Sequence, residues 1–126
     1  MKYSVDKHEQ YTILKPETEK LDSAKSPALK SEMVTLQAEG CKNLILDLSA
    51  VKYVDSSGLS SLLVGNRIYQ EAGGIFILTG ISDHVAKLIK ISQLDSVLNI
   101  LQKVEEAVDA VFLHELEKDL KNSKMD

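Results

Sequence analysis

The sequence predicts an α/β fold: a small, mostly parallel β-sheet with an N-terminal strand pair and about four helices. Three observations carry this. NLILDL and IFILT are short unbroken apolar runs, which suit strands covered on both faces. Helical periodicity lies before, between and after them. The first 15 residues, up to Lys15, read instead as two short strands, of which YTILK is rich in β-formers. Strands alternating with helices give a parallel sheet with right-handed crossovers.

Taken in order, the opening segment divides into two short strands. Val5 stands between polar neighbours, YTILK follows, and HEQ is the turn between them. From Leu21 to Ala38 the pattern is helical. Asp22 or Ser23 caps an early turn, or the helix starts at Ser26-Pro27, with Ser26 as cap and Pro27 at the first helical position. Leu29, Met33 and Leu36 share one face, and Gly40 ends the helix. After NLILDL comes a polar turn, then a helix from about Ser57 to Ala72. Leu59, Leu62, Leu63, Asn66 and Tyr69 mark its broad face. Gly65 inside that helix costs about 1 kcal/mol against Ala, which close packing against a neighbour explains. Gly73-Gly74 closes it. After the strand IFILT, Ser82 caps the helix DHVAKLIKI, with Val85, Leu88 and Ile89 on one face and Leu94 packing near its end. SVLNIL is a fifth strand. The last helix begins near Val104 with the stripe Val104, Ala107, Val108 and Val111, and Glu105 and Glu106 favour its N-terminal dipole. Leu44, Leu46, Ile75, Ile77 and Leu59 are expected to line one core. The expected domain is 1–116, with 117–126 a fraying tail.

The chain has 126 residues and is 44% hydrophobic with no Trp. Roughly two-thirds of the surface of an unfolded chain this size can be buried. The net charge of −4 argues against a nucleic-acid partner, which needs clustered Lys and Arg. No stretch approaches the roughly 20 apolar residues of a membrane span, and the N-terminus lacks the apolar run of a signal peptide. Cys41 is the only cysteine, so it forms no internal disulfide, and it has no metal-ligand companions. A packed or partly exposed thiol in a reducing, cytoplasmic compartment is expected, with no cofactor or metal.

The stretch DLSAVKYVDSSGLSSLL, Asp47 to Leu63, poses the functional question. Its Asp55–Gly58 turn follows a strand and opens a helix. It therefore lies at the carboxyl edge of the sheet, where functional crevices form in such folds. One reading is a helix cap, since Asp and Ser oxygens satisfy orphan N–H groups. A nucleophile is a second. It fits poorly, because neither Ser56 nor Ser57 has glycines two residues before and after it. The histidines His8, His84 and His114 are better read as surface residues than as a general base. A phosphate cradle is a third, but the Walker pattern is absent and Asp55 would repel a nucleotide. In the fourth reading Ser57, on an exposed first turn, receives a phosphate from another protein. Gly58 then leaves room for that protein to approach, and roughly −1.5 to −2 of charge alters the binding surface without disturbing the fold.

NLILDLSAVKYVDSSGLSSLL closely resembles the signature of STAS domains, specifically bacterial anti-sigma factor antagonists. EKLDSAKSPALKSEM is similar to their Leu-Asp segment. EAGGIFILTGISDHVAKLIKISQLDSVLNI is similar to their Gly-Gly strand, short helix and return strand, and VEEAVDAV to the start of their terminal helix. The likeness runs from about Tyr3 to His114. It implies a STAS-like fold and a non-enzymatic, partner-switching role. The unphosphorylated antagonist binds an anti-sigma factor that is also a serine kinase with a histidine-kinase-like ATP fold, and so frees a sigma factor. Phosphorylation of the motif's second serine, Ser57 here, turns binding off, and a PP2C-type phosphatase restores it. Asp55, Ser56 and Gly58 match the flanking motif positions, and Asp22 the Leu-Asp position. Lys20 departs from the Gly or acid common in the family, and Ser60 and Ser61 add hydroxyls beside the motif. Alternatives are a STAS module of another complex, in stress signalling or beside a lipid transporter, and a small serine hydrolase or nucleotide-binding enzyme.

Overall fold

A computed structural model describes residues 1–124. Strands β1 (Tyr3–Lys7) and β2 (Thr12–Pro16) form the expected antiparallel pair, with Val5 opposite Leu14. Beside β2 lie β4 (Leu44–Asp47), β6 (Phe76–Thr79) and β7 (Asn99–Leu101), all parallel, so the sheet order is β1-β2-β4-β6-β7. The helices are α1 (Ser26–Ala38), α2 (Ser56–Glu71), α3 (Asp83–Ile91) and α4 (Val104–Lys124). Two further strands, β3 (Lys20–Leu21) and β5 (Tyr53–Val54), form a separate parallel pair.

The sheet has helices on both faces, and each face has its own core. Leu14, Leu44, Leu46, Phe76 and Leu78 pack with α1, α2 and α3 through Leu29, Met33, Leu59, Leu62, Tyr69, Val85 and Ile89. Ile45 and Ile77 point the other way, onto Ala107 and Val111 of α4. The single core expected from the sequence is therefore split. Successive strand residues alternate faces, so Ile77 lies across the sheet from Leu44, Leu46 and Leu59. Ile75 precedes β6 and flanks the α4 side, only partly buried.

Close approach of α1 and α2 explains Gly65. A Cβ there would lie 2.7 Å from the Met33 sulfur and 2.8 Å from the Phe76 ring. The Tyr69 hydroxyl donates to the Met33 carbonyl at 2.9 Å across the same seam, and burial raises its pKa. Gly40 and Gly73, with φ of 112° and 82°, terminate α1 and α2, in conformations that favour glycine.

Three boundaries differ from expectation. Ser26 is the first helical residue of α1 and Lys25 its cap position. The capping falls to the Asp22 turn, whose Oδ1 accepts from the N–H groups of Ala24 and Lys25 at 3.1 and 3.2 Å. The buried Ser26 hydroxyl donates back to the Asp22 carbonyl at 2.7 Å. Strand β7 is only three residues long, because the N–H groups of Val97 and Leu98 are drawn into a turn on the Leu94 carbonyl, at 3.1 and 2.9 Å. Helix α4 continues past 116 to Lys124, and residues 125 and 126 of the expected tail lie outside the described residues.

Candidate functional site

The serine turn is held by contacts that join two distant loops. After β4 the chain crosses to β5, where Lys20 pairs with Tyr53 and Leu21 with Val54. The Lys52 and Tyr53 N–H groups donate to the Glu19 carbonyl at 2.8 and 3.0 Å, and Asp55 N–H donates to the Leu21 carbonyl at 3.3 Å. These bonds bring the Asp22 loop alongside Asp55.

Asp55 caps α2 from an extended backbone, with φ −99° and ψ −172°. Its Oδ1 accepts from Gly58 N–H at 2.9 Å, which satisfies one orphan donor of the first turn. Its Oδ2 accepts from Ser23 N–H at 3.2 Å. One carboxylate thus fixes the start of α2 and ties it to the Asp22 turn. Asp55 and Asp22 are both half-buried.

The four hydroxyls of the motif separate cleanly. Ser56 and Ser60 are exposed, Ser57 is half-buried and Ser61 is fully buried. The Ser61 hydroxyl donates to the Gly58 carbonyl at 2.6 Å, inside the protein. Among the described residues, the Ser56 and Ser57 hydroxyls have no protein partner. The turn therefore presents two unengaged hydroxyls at a helix N-terminus, where backbone N–H groups and the helix dipole accommodate negative charge.

Gly58 does not leave the open space expected of it. It is buried, and a Cβ would lie 2.3 Å from the Leu21 carbonyl oxygen and 2.6 Å from Val54 Cγ1. The missing side chain makes room for the chain's own β3–β5 pair. Gly58 shapes the site from beneath, while Ser56, Ser57, Asp55 and Asp22 line its surface.

Among the described residues, nothing near the turn assembles a nucleophile with its base. His8 is bonded to Asp6 at 2.9 Å, and His114 lies 3.3 Å from the Gly73 carbonyl. His84 stacks on Tyr53 with ring centroids 5.9 Å apart. This Tyr53–His84 pair beside the turn has no signal in the sequence, because the residues come from segments that only the fold brings together. Among the described residues no cluster of three His, Cys, Asp or Glu could hold a metal ion. Nor is any described helix long and apolar enough to cross a membrane.

At the opposite, amino edge of the sheet, Asn43 is a second feature without a sequence signal. It is 2% exposed. Its Nδ2 donates to the Gln10 carbonyl and to Glu115 Oε1, both at 2.8 Å, and its Oδ1 accepts from Ile75 N–H at 3.0 Å. The Asn43 bond holds the Glu115 carboxyl below its ordinary pKa, with a smaller contribution from Lys118. Cys41, half-buried beside it, donates its S–H to the Asn43 carbonyl at 3.2 Å.

The STAS domain model matches residues 2–107. The chain belongs to the STAS domain family. Its curated relatives include the anti-sigma-B factor antagonist of Bacillus subtilis, 28% identical over 88 residues that span 70% of this chain and 80% of that one. Among solved structures, an anti-sigma-factor antagonist STAS protein of Planctomyces limnophilus superposes with a TM-score of 0.77. It is 20% identical, and the match covers 86% of this chain and 97% of that one. The Bacillus cell fate determinant SpoIIAA in its phosphorylated form gives a TM-score of 0.67 at 20% identity, covering 87% and 99%. These structural likenesses establish the STAS fold, with its antiparallel strand pair, parallel strands and four helices. The family's anti-sigma antagonists are non-enzymatic regulators, and this STAS chain is no enzyme.

Proposed function

We propose that this STAS domain is an anti-sigma factor antagonist, switched by phosphorylation of Ser57. The observation that carries the reading is the division of labour among the motif's hydroxyls. Ser61 is sealed in a buried bond, whereas Ser56 and Ser57 stand unengaged on the first turn of α2 beside the half-buried carboxylate of Asp55, and of the two Ser57 is the one that the likeness to the family's motif assigns. A phosphate there adds roughly −1.5 to −2 of charge and three acceptor oxygens. The N-terminus of α2 tolerates this charge, so the fold stays intact. A docking partner meets an altered surface.

The partner in this reading is an anti-sigma factor that doubles as a serine kinase, and a PP2C-type phosphatase resets the switch, all in the cytoplasm. Asp22, Asp55 and Ser56 contribute to the docking surface, and Gly58 supports it from below. The matched Bacillus subtilis relative is an anti-sigma-B factor antagonist, and SpoIIAA is a relative with a phosphorylated form.

The test is calorimetry with the cognate anti-sigma factor, using wild type, phosphorylated wild type, Ser57→Ala and Ser57→Asp. Ser57→Ala should bind like unphosphorylated wild type. Phosphorylated protein should bind at least tenfold more weakly, and Ser57→Asp should fall between, since Asp is shorter and carries less charge. Equal affinity of the phosphorylated and unphosphorylated forms would refute the switch. A phosphate mapped to Ser56 or Ser60 would refute the site.

A further inference from the structure

Helix α4 has two apolar faces, and the sheet uses only one. Ala107 and Val111 are fully buried against Ile45 and Ile77. On the other side Phe112, Leu113, Leu116 and Leu120 are 47%, 56%, 55% and 55% exposed. The spacing of Leu113, Leu116 and Leu120 is i, i+3 and i+7, which forms one stripe along a helix. Isolated exposed leucines are ordinary, but a contiguous row marks an interaction surface. Tyr11 extends the patch onto the sheet, its ring edge-on to Phe112 at 6.0 Å.

The charges around the stripe say what could cover it. Exposed Glu117 and Asp119 border it on its two sides, and exposed Asp109 closes its amino-terminal end. Lys118 is turned toward the body, where it meets Glu115 at 3.7 Å. Lys121 stands behind Glu117, one turn further on, away from the leucines. A second copy would bring these acids against its own, and like charges at an interface are repulsive. A helix with an apolar stripe flanked by Lys and Arg would have its cations opposite Glu117, Asp119 and Asp109.

We propose that the outward face of α4 is a second docking surface, for a cationic amphipathic helix of another protein. The surface is remote from the serine turn. Helix α4 lies on the opposite face of the sheet from α2, and its stripe sits toward the amino edge, where Glu115 meets Asn43 and Phe112 meets Tyr11. Ser57 lies at the carboxyl edge. A partner held on α4 stays bound whatever the state of Ser57, so the switch can be carried within a larger assembly.

The experiment uses the whole chain and two fluorescent helical peptides with the same leucine seam, one flanked by Lys and the other by Glu. The Lys peptide should bind wild type at least tenfold more tightly than the Glu peptide. Leu116→Glu should weaken Lys-peptide binding at least tenfold despite its added negative charge. Ser57→Asp should leave the affinity unchanged. Leu116 is a surface position, and an unchanged circular dichroism melt verifies that the variant is folded. Equal Lys-peptide affinity for wild type and Leu116→Glu would overturn the proposal, showing attraction by net charge alone. So would a wild-type dimer in analytical ultracentrifugation that Leu116→Glu dissociates, since the stripe would then be covered by a second copy. A loss of peptide binding in Ser57→Asp would overturn the independence of the two surfaces.

Discussion

Gly58→Ala tests how the serine turn is built, because two readings of the glycine predict opposite signs. If Gly58 faced open space, adding a methyl group inside α2 would stabilise the helix by up to about 1 kcal/mol. In the structure the new Cβ would lie 2.3 Å from the Leu21 carbonyl oxygen and 2.6 Å from Val54 Cγ1. The first neighbour is backbone. It cannot rotate away, and the same oxygen accepts the Asp55 N–H. Relief requires β3 and the start of α2 to separate, which strains the Leu21–Val54 pairing and both hydrogen bonds of the Asp55 carboxylate. Overpacking of this kind costs about 1–3 kcal/mol, and a backbone obstacle places it at the upper end. Subtracting the gain in helix propensity leaves a net loss of about 2 kcal/mol. For a domain of this size that corresponds to a melting temperature lower by about 8 °C, from roughly 4 °C per kcal/mol. Thermal unfolding followed by circular dichroism measures it directly. A Gly58→Ala variant melting at or above the wild-type temperature would falsify the packed geometry.

Three further outcomes are expected. Leu59→Asp places a carboxylate at a site 9% exposed in the main core and should lower stability by several kcal/mol in urea unfolding; a wild-type midpoint would mean that this face of α2 is not buried. Asn43→Ala leaves the Ile75 N–H and the Gln10 carbonyl without their partner and should cost about 2–4 kcal/mol by the same assay, whereas a loss below about 0.5 kcal/mol would show that the junction is not structural. Glu115 has a folded pKa below its unfolded one, so its contribution is present above the ordinary glutamate range, near about 4.3, and is lost as pH falls through the lower folded value. Glu115→Gln should therefore lose less stability than wild type on acidification below that range, and parallel pH profiles would exclude the linkage.

The sheet is legible in the sequence because periodicity reports burial. NLILDL and IFILT each have two covered faces, and a two-faced environment leaves an unbroken apolar run. The same feature hides the split core, since a run buried on both sides does not reveal which residues point which way. Sequence reasoning therefore groups Ile77 with Leu44, whereas the sheet separates them. Strands β3 and β5 are illegible for another reason. Two residues are too few to show a period, and Lys20-Leu21 and Tyr53-Val54 become strands only by finding each other across more than thirty residues. Asp55 and Ser57 stand out in the sequence as a polar turn before a leucine-rich helix. The inward direction of Gly58 depends on the β3–β5 pair, which the sequence does not reveal. The start at Ser26-Pro27 shifts by one position because the Asp22 turn supplies the capping bonds. Asn43 gives no signal, as its three partners come from three separate segments.

Within the five-stranded sheet, the order of strands in space is also their order of synthesis. Beginning at β1, each new strand joins the outer edge of the sheet, and α1, α2 and α3 are laid down on one face as the chain lengthens. Among the described residues the opposite face is served by α4 alone, and α4 follows every strand that it covers. While the ribosome is still making the second half of the protein, Ile45 and then Ile77 have no cover on that side. The nascent domain therefore passes through a stage with one finished layer and one bare one, in which an aggregation-prone sheet face waits for the terminal helix. Arrest before Val104 would make that stage permanent.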